Sequence, residues 1–381
     1  MNISPSAISR LIHWFEENGR HSLPWRQDPT PYRVWVSEIM LQQTQVRTVL
    51  DYFSRFLSAF PDIQALANAE EETVLRQWEG LGYYRRARQM HAAAKIITNE
   101  KNGHFPDTFS EILALPGIGR YTAGAILSFA FNKPFPILEA NTQRLFARLN
   151  ALQIPVSSSQ AQKLLWKTAE EFVIPNTSSE SPRILNTALM DLGSIVCTPQ
   201  EPQCEKCPFL DECEAKRGNL TARIPYSPPK IKYEDRMEAA ALITRTFTHS
   251  ENMDNEFSSE REFLLVRCVE GEWWAGLWDF PRVKIQNEET IQLELQRFIQ
   301  QTIGLKTTIT EKFADFRHSV TKYRIRLRAF HTSFTDNEQK KQTISRQTPS
   351  GGEIRWVRES DLETFPLCSS GRKIAQKILH S

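Results

Sequence analysis

Four cysteines crowded into one short window constrain this chain more than any other feature. They read Cys197-x6-Cys204-x2-Cys207-x5-Cys213, while Cys268 and Cys368 stand alone. Thiols so spaced can pair as disulfides, hold a zinc ion, or hold an iron–sulfur cluster. A cytoplasmic setting disfavours disulfides, and structural zinc more often uses two short Cys-x2-Cys pairs. Four thiolates also make an iron–sulfur ligand set. The spacing therefore asks for a metal and leaves the choice between cluster and zinc open.

The rest of the chain sets wider limits. At 381 residues it is longer than most single domains, so two domains are expected. Its 40 % hydrophobic and 24 % charged residues are those of an ordinary soluble protein. No apolar run approaches a membrane span. Met1 to Arg20 reads as an amphipathic helix carrying Ile8, Leu11, Ile12 and Phe15, without the features of a signal peptide. The expectation is a cytoplasmic, monomeric enzyme, nucleoid-associated if bacterial, with no membrane contact.

Helical periodicity runs to about residue 215 and makes the first half all-α. From Ala222 to Arg236 the pattern gives way to Pro225, Pro228 and Pro229 among charged residues, a stiff polar linker. Strand-like runs follow at Ala239–Thr244, Phe263–Val269, Lys312–Phe316 and Tyr323–Phe330, with a helix at Thr290–Ile303. The polar segment Thr248–Glu260 reads as a loop. The expected fold is multi-domain: an all-α domain over 1–221, a linker over 222–236 and an α+β domain over 237–381. Charge does not point to a partner, because the chain stands at only +2 and residues 1–225 hold 23 Lys plus Arg against 23 Asp plus Glu.

Two further segments carry chemistry. Leu115-Pro116-Gly117-Ile118-Gly119 opens a helix at about Arg120, and its glycines with the helix N-terminus suit a phosphate oxygen. A plain helix–turn–helix connection would use the same residues. In Trp35–Val46, Glu38 shares a helix face with Val34, Leu41 and Gln42. Desolvation there favours the protonated form that a general acid needs, whereas at the solvent edge of an amphipathic helix it would be an ordinary carboxylate.

Taken with Leu23-Pro24-Trp25-Arg26, these segments resemble the MutY-type adenine DNA glycosylases of the helix-hairpin-helix superfamily, from about Trp14 through Cys213. The resemblance implies a [4Fe–4S] cluster on Cys197, Cys204, Cys207 and Cys213. It implies that Gly117, Ile118 and Gly119 grip the DNA backbone and that Glu38 protonates N7 of a flipped adenine. Glu139, in Ile137-Leu138-Glu139-Ala140-Asn141-Thr142, takes the place of the family's aspartate, which stabilises positive charge on the sugar; Asn141 and Tyr121 complete the lining. Bifunctional relatives carry a lysine where this chain has Tyr121, which cannot form an imine, so the monofunctional branch with water as nucleophile is implied. Trp25, Arg26 and Val46 would shape the adenine pocket. Gln43 and the turn Gly80-Leu81-Gly82-Tyr83-Tyr84 would wedge into the duplex, although Leu81 would equally serve as core.

In the second half, Gly276-Leu277-Trp278-Asp279-Phe280-Pro281 resembles the Nudix-like domain of these enzymes, which reads 8-oxoguanine opposite the adenine. A hydrolytic Nudix domain needs a helix with closely spaced glutamates for magnesium, and Thr290–Ile303 offers only Glu294. The family's lesion-reading loop has a Phe-Ser-His core; Phe316-Arg317-His318 matches at two positions, with Arg317 replacing the small hydroxyl residue. The implied substrate is double-stranded DNA with adenine opposite 8-oxoguanine or guanine. Two other readings stand beside this one: a bifunctional thymine-glycol-type glycosylase and lyase, and a catalytically weak lesion-binding protein.

Overall fold

A computed structural model describes residues 4–176, 180–226, 233–251, 256–334 and 347–380. The chain forms two compact units, one of residues 1–68 and 89–230, the other of residues 69–88 and 231–381.

The first unit is helical, and its sequence punctuation is plain. Ser4 caps the helix Pro5–Asn18 by accepting from the Ala7 N–H, with Pro5 at its first position. Thr30 does the same for Pro31–Leu41 through the Arg33 N–H. Proline costs nothing there because that N–H has no partner within the helix. Pro5–Asn18 is amphipathic and buries Ala7, Ile8, Leu11 and Phe15. Pro31–Leu41 differs, since every residue from Val34 to Met40 is buried. A helix buried all round carries any polar side chain into the interior. In Ala140–Leu149 and Pro182–Ile195, Leu145, Phe146, Leu189 and Leu192 join one apolar core with Leu11 and Phe15. Each such side chain contributes about 1.5–3 kcal/mol. Among the described residues no helix is long and apolar enough to cross a membrane.

The second unit is built on a seven-stranded sheet. Its strands are β1 (Glu234–Glu251), β2 (Glu256–Arg267), β3 (Trp278–Asp279), β4 (Arg282–Ile285), β5 (Thr308–Val320), β6 (Tyr323–Ser333) and β7 (Ile354–Arg358). The main path runs β3-β2-β1-β6-β5, with β4 on β1 and β7 on β2. β1 and β6 are parallel and the other pairs antiparallel. Alternation along the strands splits the apolar residues between two faces. Leu242, Leu265 and Leu327 join one core; Ile243 and Leu264 join another against the helix Ile291–Ile303. The segment Ala69–Arg88 belongs to this unit, which nothing in its sequence announces.

Three expectations need correction. Thr248–Glu260 is not a loop: β1 runs to Glu251, β2 starts at Glu256, and Thr248 pairs with Ser259. Backbone pairing continues the ladder past the point where apolar alternation stops, because a ladder needs only N–H and C=O groups; residues 252–255 lie outside the described residues. The stretch expected as linker is strand from Glu234 onward, with 227–232 also outside them. Phe316-Arg317-His318 lies within β5, opposite Leu327, Arg326 and Ile325. The turn itself falls at Thr321 and Lys322, where the β5–β6 ladder closes.

Candidate active site

Buried at 4 % exposure, Glu38 faces a cleft of about 940 Å³ in the first unit. Burial pushes its carboxyl from 4.5 up to about 7; the Tyr121 hydrogen bond and the Arg26 charge pull it down, and the Glu139 charge pushes it up. The Tyr121 hydroxyl donates to Glu38 Oε2 at 2.5 Å. Burial first, then the two carboxylates, hold that phenol well above its ordinary range, so Tyr121 stays a donor. The pair gives an acid that holds its proton near neutrality beside a fixed neutral partner.

Glu139 comes to the same cleft as the N-cap of Ala140–Leu149. Its carboxylate accepts from the Asn141 N–H at 2.9 Å, the Thr142 N–H at 2.9 Å and Asn141 Nδ2 at 3.0 Å. The Thr142 hydroxyl accepts from the Glu139 N–H in return, closing a capping box. Burial raises its pKa, against the pull of these donors and of Arg144. The longer side chain is thus folded back over the helix N-terminus, whose dipole favours its ionised form. Asn141 is held by the Arg144 guanidinium, which donates to its Oδ1 at 2.8 Å. A Cβ at Gly193 would come within 2.8 Å of the Asn141 carbonyl, so only glycine lets Pro182–Ile195 approach this loop.

Trp25, Arg26, Gln43, Val46 and Gly119 line the cleft too. Trp25 is buried edge-on against Phe53. Gln43 is exposed in a left-handed conformation just past the helix carrying Glu38. Arg26 is less free than a substrate-binding role suggests: it donates to Asp191 at 2.7 and 3.0 Å, and Arg20 donates to the same carboxylate at 2.5 and 2.8 Å. Burial would raise Asp191, but the Arg26 and Arg20 contacts hold it below the usual carboxylate range. Sequence reading missed Asp191, Arg20 and Arg144. Their partners lie far away along the chain, and no local spacing marks them.

At the hairpin, Gly117 has φ +77° and Gln89 against it, so no side chain fits. Gly119 is extended and leads into Arg120–Phe129, and a Cβ there would meet nothing within 4 Å. Open space beside a helix N-terminus leaves its N–H groups accessible to an anion. Ile118 is buried.

All four clustered cysteines line one small cavity with Arg148 and Leu145. Arg148, fully buried, donates to Cys197 Sγ at 3.3 Å and to the Thr198 and Pro199 carbonyls at 2.7 and 3.0 Å. Burial, reinforced by the neighbouring thiols, pushes the Cys207 thiol up to about 12. Among the described residues no three Cys, His, Asp or Glu side chains form a group that could hold a metal ion. Four thiols lining one space are a donor set that either a zinc ion or an iron–sulfur cluster can use. Arg144 connects this loop to the cleft, donating to the carbonyls of Cys197 and Gly193 as well as to Asn141.

In the second unit Leu81 is buried, as core packing requires, whereas Tyr83 is 62 % exposed at φ +49°. Phe316 and His318 are half-buried on one face of β5, with Arg317 exposed on the other. Neither His318 nitrogen has a hydrogen-bond partner. Burial, with Arg282 and Lys373 nearby, lowers the ring to about 4, and it packs beside Trp274. Glu294 is committed to a cap, accepting from the Gln286 and Asn287 N–H groups and the Thr290 hydroxyl.

Residues 36–171 match the HhH-GPD superfamily base excision DNA repair protein model, and residues 257–377 match a NUDIX domain. The chain is 34 % identical to the adenine DNA glycosylase of Buchnera aphidicola subsp. Acyrthosiphon pisum, covering 87 % of this chain and 89 % of that one. It is 42 % identical to that of Buchnera aphidicola subsp. Schizaphis graminum, over 71 % and 73 %. With the Mus musculus adenine DNA glycosylase it shares 36 % identity over 76 % of this chain and 64 % of that one. The chain belongs to the adenine DNA glycosylase family.

Proposed function

We propose that this protein removes adenine from duplex DNA where it lies opposite 8-oxoguanine or guanine, hydrolysing the N-glycosidic bond without cutting the strand. The observation that carries this is Glu38, a carboxyl held near pKa 7 inside a cleft, hydrogen-bonded to Tyr121 and sharing that cleft with Glu139. Glu38 gives its proton to N7 of the extruded adenine as the C1′–N9 bond breaks and its electron pair passes to the base. Glu139, fixed by its three donors, offsets the positive charge left on the sugar. Water then adds at C1′ and its proton returns to the Glu38 carboxylate, restoring the acid. Tyr121 has no amine for an imine and serves as a hydrogen-bond donor to Glu38. Trp25, Val46 and Asn141 line the base pocket, and Arg26 helps set its charge. Gln43 and Tyr83 enter the duplex, and Gly117, Ile118 and Gly119 meet the backbone phosphates.

Cys197, Cys204, Cys207 and Cys213 would hold a [4Fe–4S] cluster, which supplies a fixed covalent tie for the loop from 197 to 213. Arg148 would offset the charge of its thiolates. Purified protein should contain about four irons per chain; a single zinc would overturn the assignment. The helical domain carries the chemistry, and the Nudix-like domain reads the opposite base. Lesion contact is better placed at the exposed turn Thr321-Lys322 than at Phe316-Arg317-His318. A reading loop must reach solvent, and Thr321 brings the small hydroxyl that Arg317 lacks. The protein acts as a cytoplasmic monomer.

Single-turnover kinetics on duplexes with adenine opposite 8-oxoguanine test the reading. Base release without scission is expected. Release with scission would mark a bifunctional lyase, and tight binding alone a lesion-binding protein; either outcome overturns the proposal.

A further inference from the structure

We propose that Arg372, on the C-terminal helix Ser369–Leu379, is a positioning residue for base extrusion, because it fixes the Gly80–Tyr84 turn that presents Tyr83. This rests on the wedge role given to Tyr83 above. The turn is conformationally unusual: Gly80, Gly82 and Tyr83 all have positive φ, at 97°, 72° and 49°. Glycine enters that region freely, but a tyrosine rarely does, so neighbours have to hold Tyr83 there. Local contacts supply part of this. Trp78 Nε1 donates to the Gly82 carbonyl at 3.1 Å, and Arg86 Nη2 donates to the carbonyls of Leu81 and Gly82 at 3.3 and 3.2 Å.

The turn's two ends are held from the C-terminal helix. At the entry, Arg372 pairs with Glu79 through Nε and, at 3.0 Å, through Nη2. The same guanidinium donates to the carbonyls of Leu362, Glu363 and Phe365. Every N–H of Arg372 thus has an acceptor, and Glu79 also accepts from Arg76 at 2.7 Å. Both charged side chains are nearly buried, at 13 % and 11 %. A planar fork saturated in this way holds one geometry, which an exposed ion pair does not. At the exit, buried Tyr84 hydrogen-bonds Ser369 at the start of the same helix and accepts from the Gly80 N–H at 3.3 Å. Between these anchors only Tyr83 projects into solvent as a large side chain.

This places a residue near the end of the chain in control of a turn some 290 residues earlier. The consequence is specific: losing Arg372 slows the levering of a stacked base out of the helix and leaves the bond-breaking step alone.

The test compares two duplexes, one with a stacked fluorescent adenine analogue paired in the helix, the other with the same base in an unpaired bulge. Arg372→Met should slow extrusion and release about tenfold on the paired duplex, an effect of misplacement well under 1 Å, and leave the bulged duplex unchanged. Glu79→Gln should do the same from the other side of the pair and serves if Arg372→Met fails to fold. Equal slowing on both duplexes, or none on either, overturns the proposal. Tyr83→Ala separates the two levels. If it is silent on the paired duplex, the wedge reading has failed; if it slows extrusion while Arg372→Met and Glu79→Gln do not, the positioning role alone has failed.

Discussion

Each unit buries a glutamate, and the two are given different neighbours. Glu38 in the helical unit is 4 % exposed and Glu238 on β1 is 2 % exposed. Glu38 has a neutral phenol as its hydrogen-bond partner and an open cleft before it. Glu238 sits between arginines, with Arg236 Nε at 2.7 Å and Arg282 Nε at 3.4 Å. Burial beside a neutral donor lets a carboxyl hold its proton; burial between cations makes a structural ion pair. Asp191 shows that the helical unit uses both solutions, since Arg20 and Arg26 keep it ionised within the same cleft region. What separates an acid from a strut is therefore the neighbour's charge, not the degree of burial.

The sharpest way to break this comparison is to remove the charge from each glutamate in turn. Glu38→Gln should reduce adenine release by about 10³–10⁴-fold, since the amide keeps the shape but has no acidic proton to give. Duplex affinity should be unchanged in a titration with the lesion duplex. Glu238→Gln should leave release nearly intact and lower thermal stability by about 2 kcal/mol, the cost of losing a charged partner for two half-buried arginines. A rate loss for Glu238→Gln matching that of Glu38→Gln would erase the distinction.

Glu139 sharpens it from the other side, as a carboxylate that has to be charged to work. Its donors are backbone N–H groups and one amide, which favour the anion without neutralising it. Glu139→Gln should lower the single-turnover rate by about 10²–10³-fold, the loss of one electrostatic partner. Glu139→Asp should cap the helix as well yet run slower than the parent or equal to it, because the charge moves on the order of 1 Å. An almost inactive parent rescued by Glu139→Asp would show that the longer side chain has disabled the site.

Much of this was legible in the chain because it is local. The Gly117 turn, the cysteine spacing and the apolar face around Glu38 each lie within a few residues of what they determine. The resemblance then supplied roles that spacing could not. What escaped reading is non-local. Asp191 meets Arg20 and Arg26 across more than 160 positions, and Arg144 links Asn141 to Cys197 from a helix that otherwise reads as amphipathic. The β1–β2 extension was missed because its polar sequence carries no alternation, while its ladder is made of backbone alone. The placement of Ala69–Arg88 in the second unit likewise rests on contacts such as Arg372 with Glu79, which no periodicity encodes.

Titration separates the two kinds of buried acid directly. Release needs Glu38 protonated, so its rate should fall as pH rises through about 7. It should fall again in acid as Glu139 takes up a proton, giving a bell whose two limbs belong to the coupled pair. Stability follows with a definite sign. The folded-state pKa of Glu38 is raised, so its contribution is fully present below 4.5 and is lost as pH climbs through about 7. The parent should therefore lose on the order of 3 kcal/mol between pH 4.5 and 8 that Glu38→Gln retains. Identical melting profiles for the two proteins across that range would mean that Glu38 is ionised throughout.

The smallest effect concerns the second unit's contact with the opposite base. Thr321 lies at an exposed turn with φ +52°, while Phe316 packs against the sheet core and His318 beside Trp274. If the Thr321 hydroxyl meets the oxidised base, Thr321→Val keeps the branched shape and removes one hydrogen bond. A hydrogen bond contributes about 1 kcal/mol, so preference for 8-oxoguanine over guanine opposite adenine should fall about fivefold, with release from the guanine duplex unchanged. His318→Ala should act differently. It removes a half-buried ring from the β5 face, lowering the melting temperature by a few degrees while preserving the preference. Rates on both duplexes, measured for both variants, decide between turn and strand: preference lost in His318→Ala and kept in Thr321→Val returns lesion reading to Phe316-Arg317-His318.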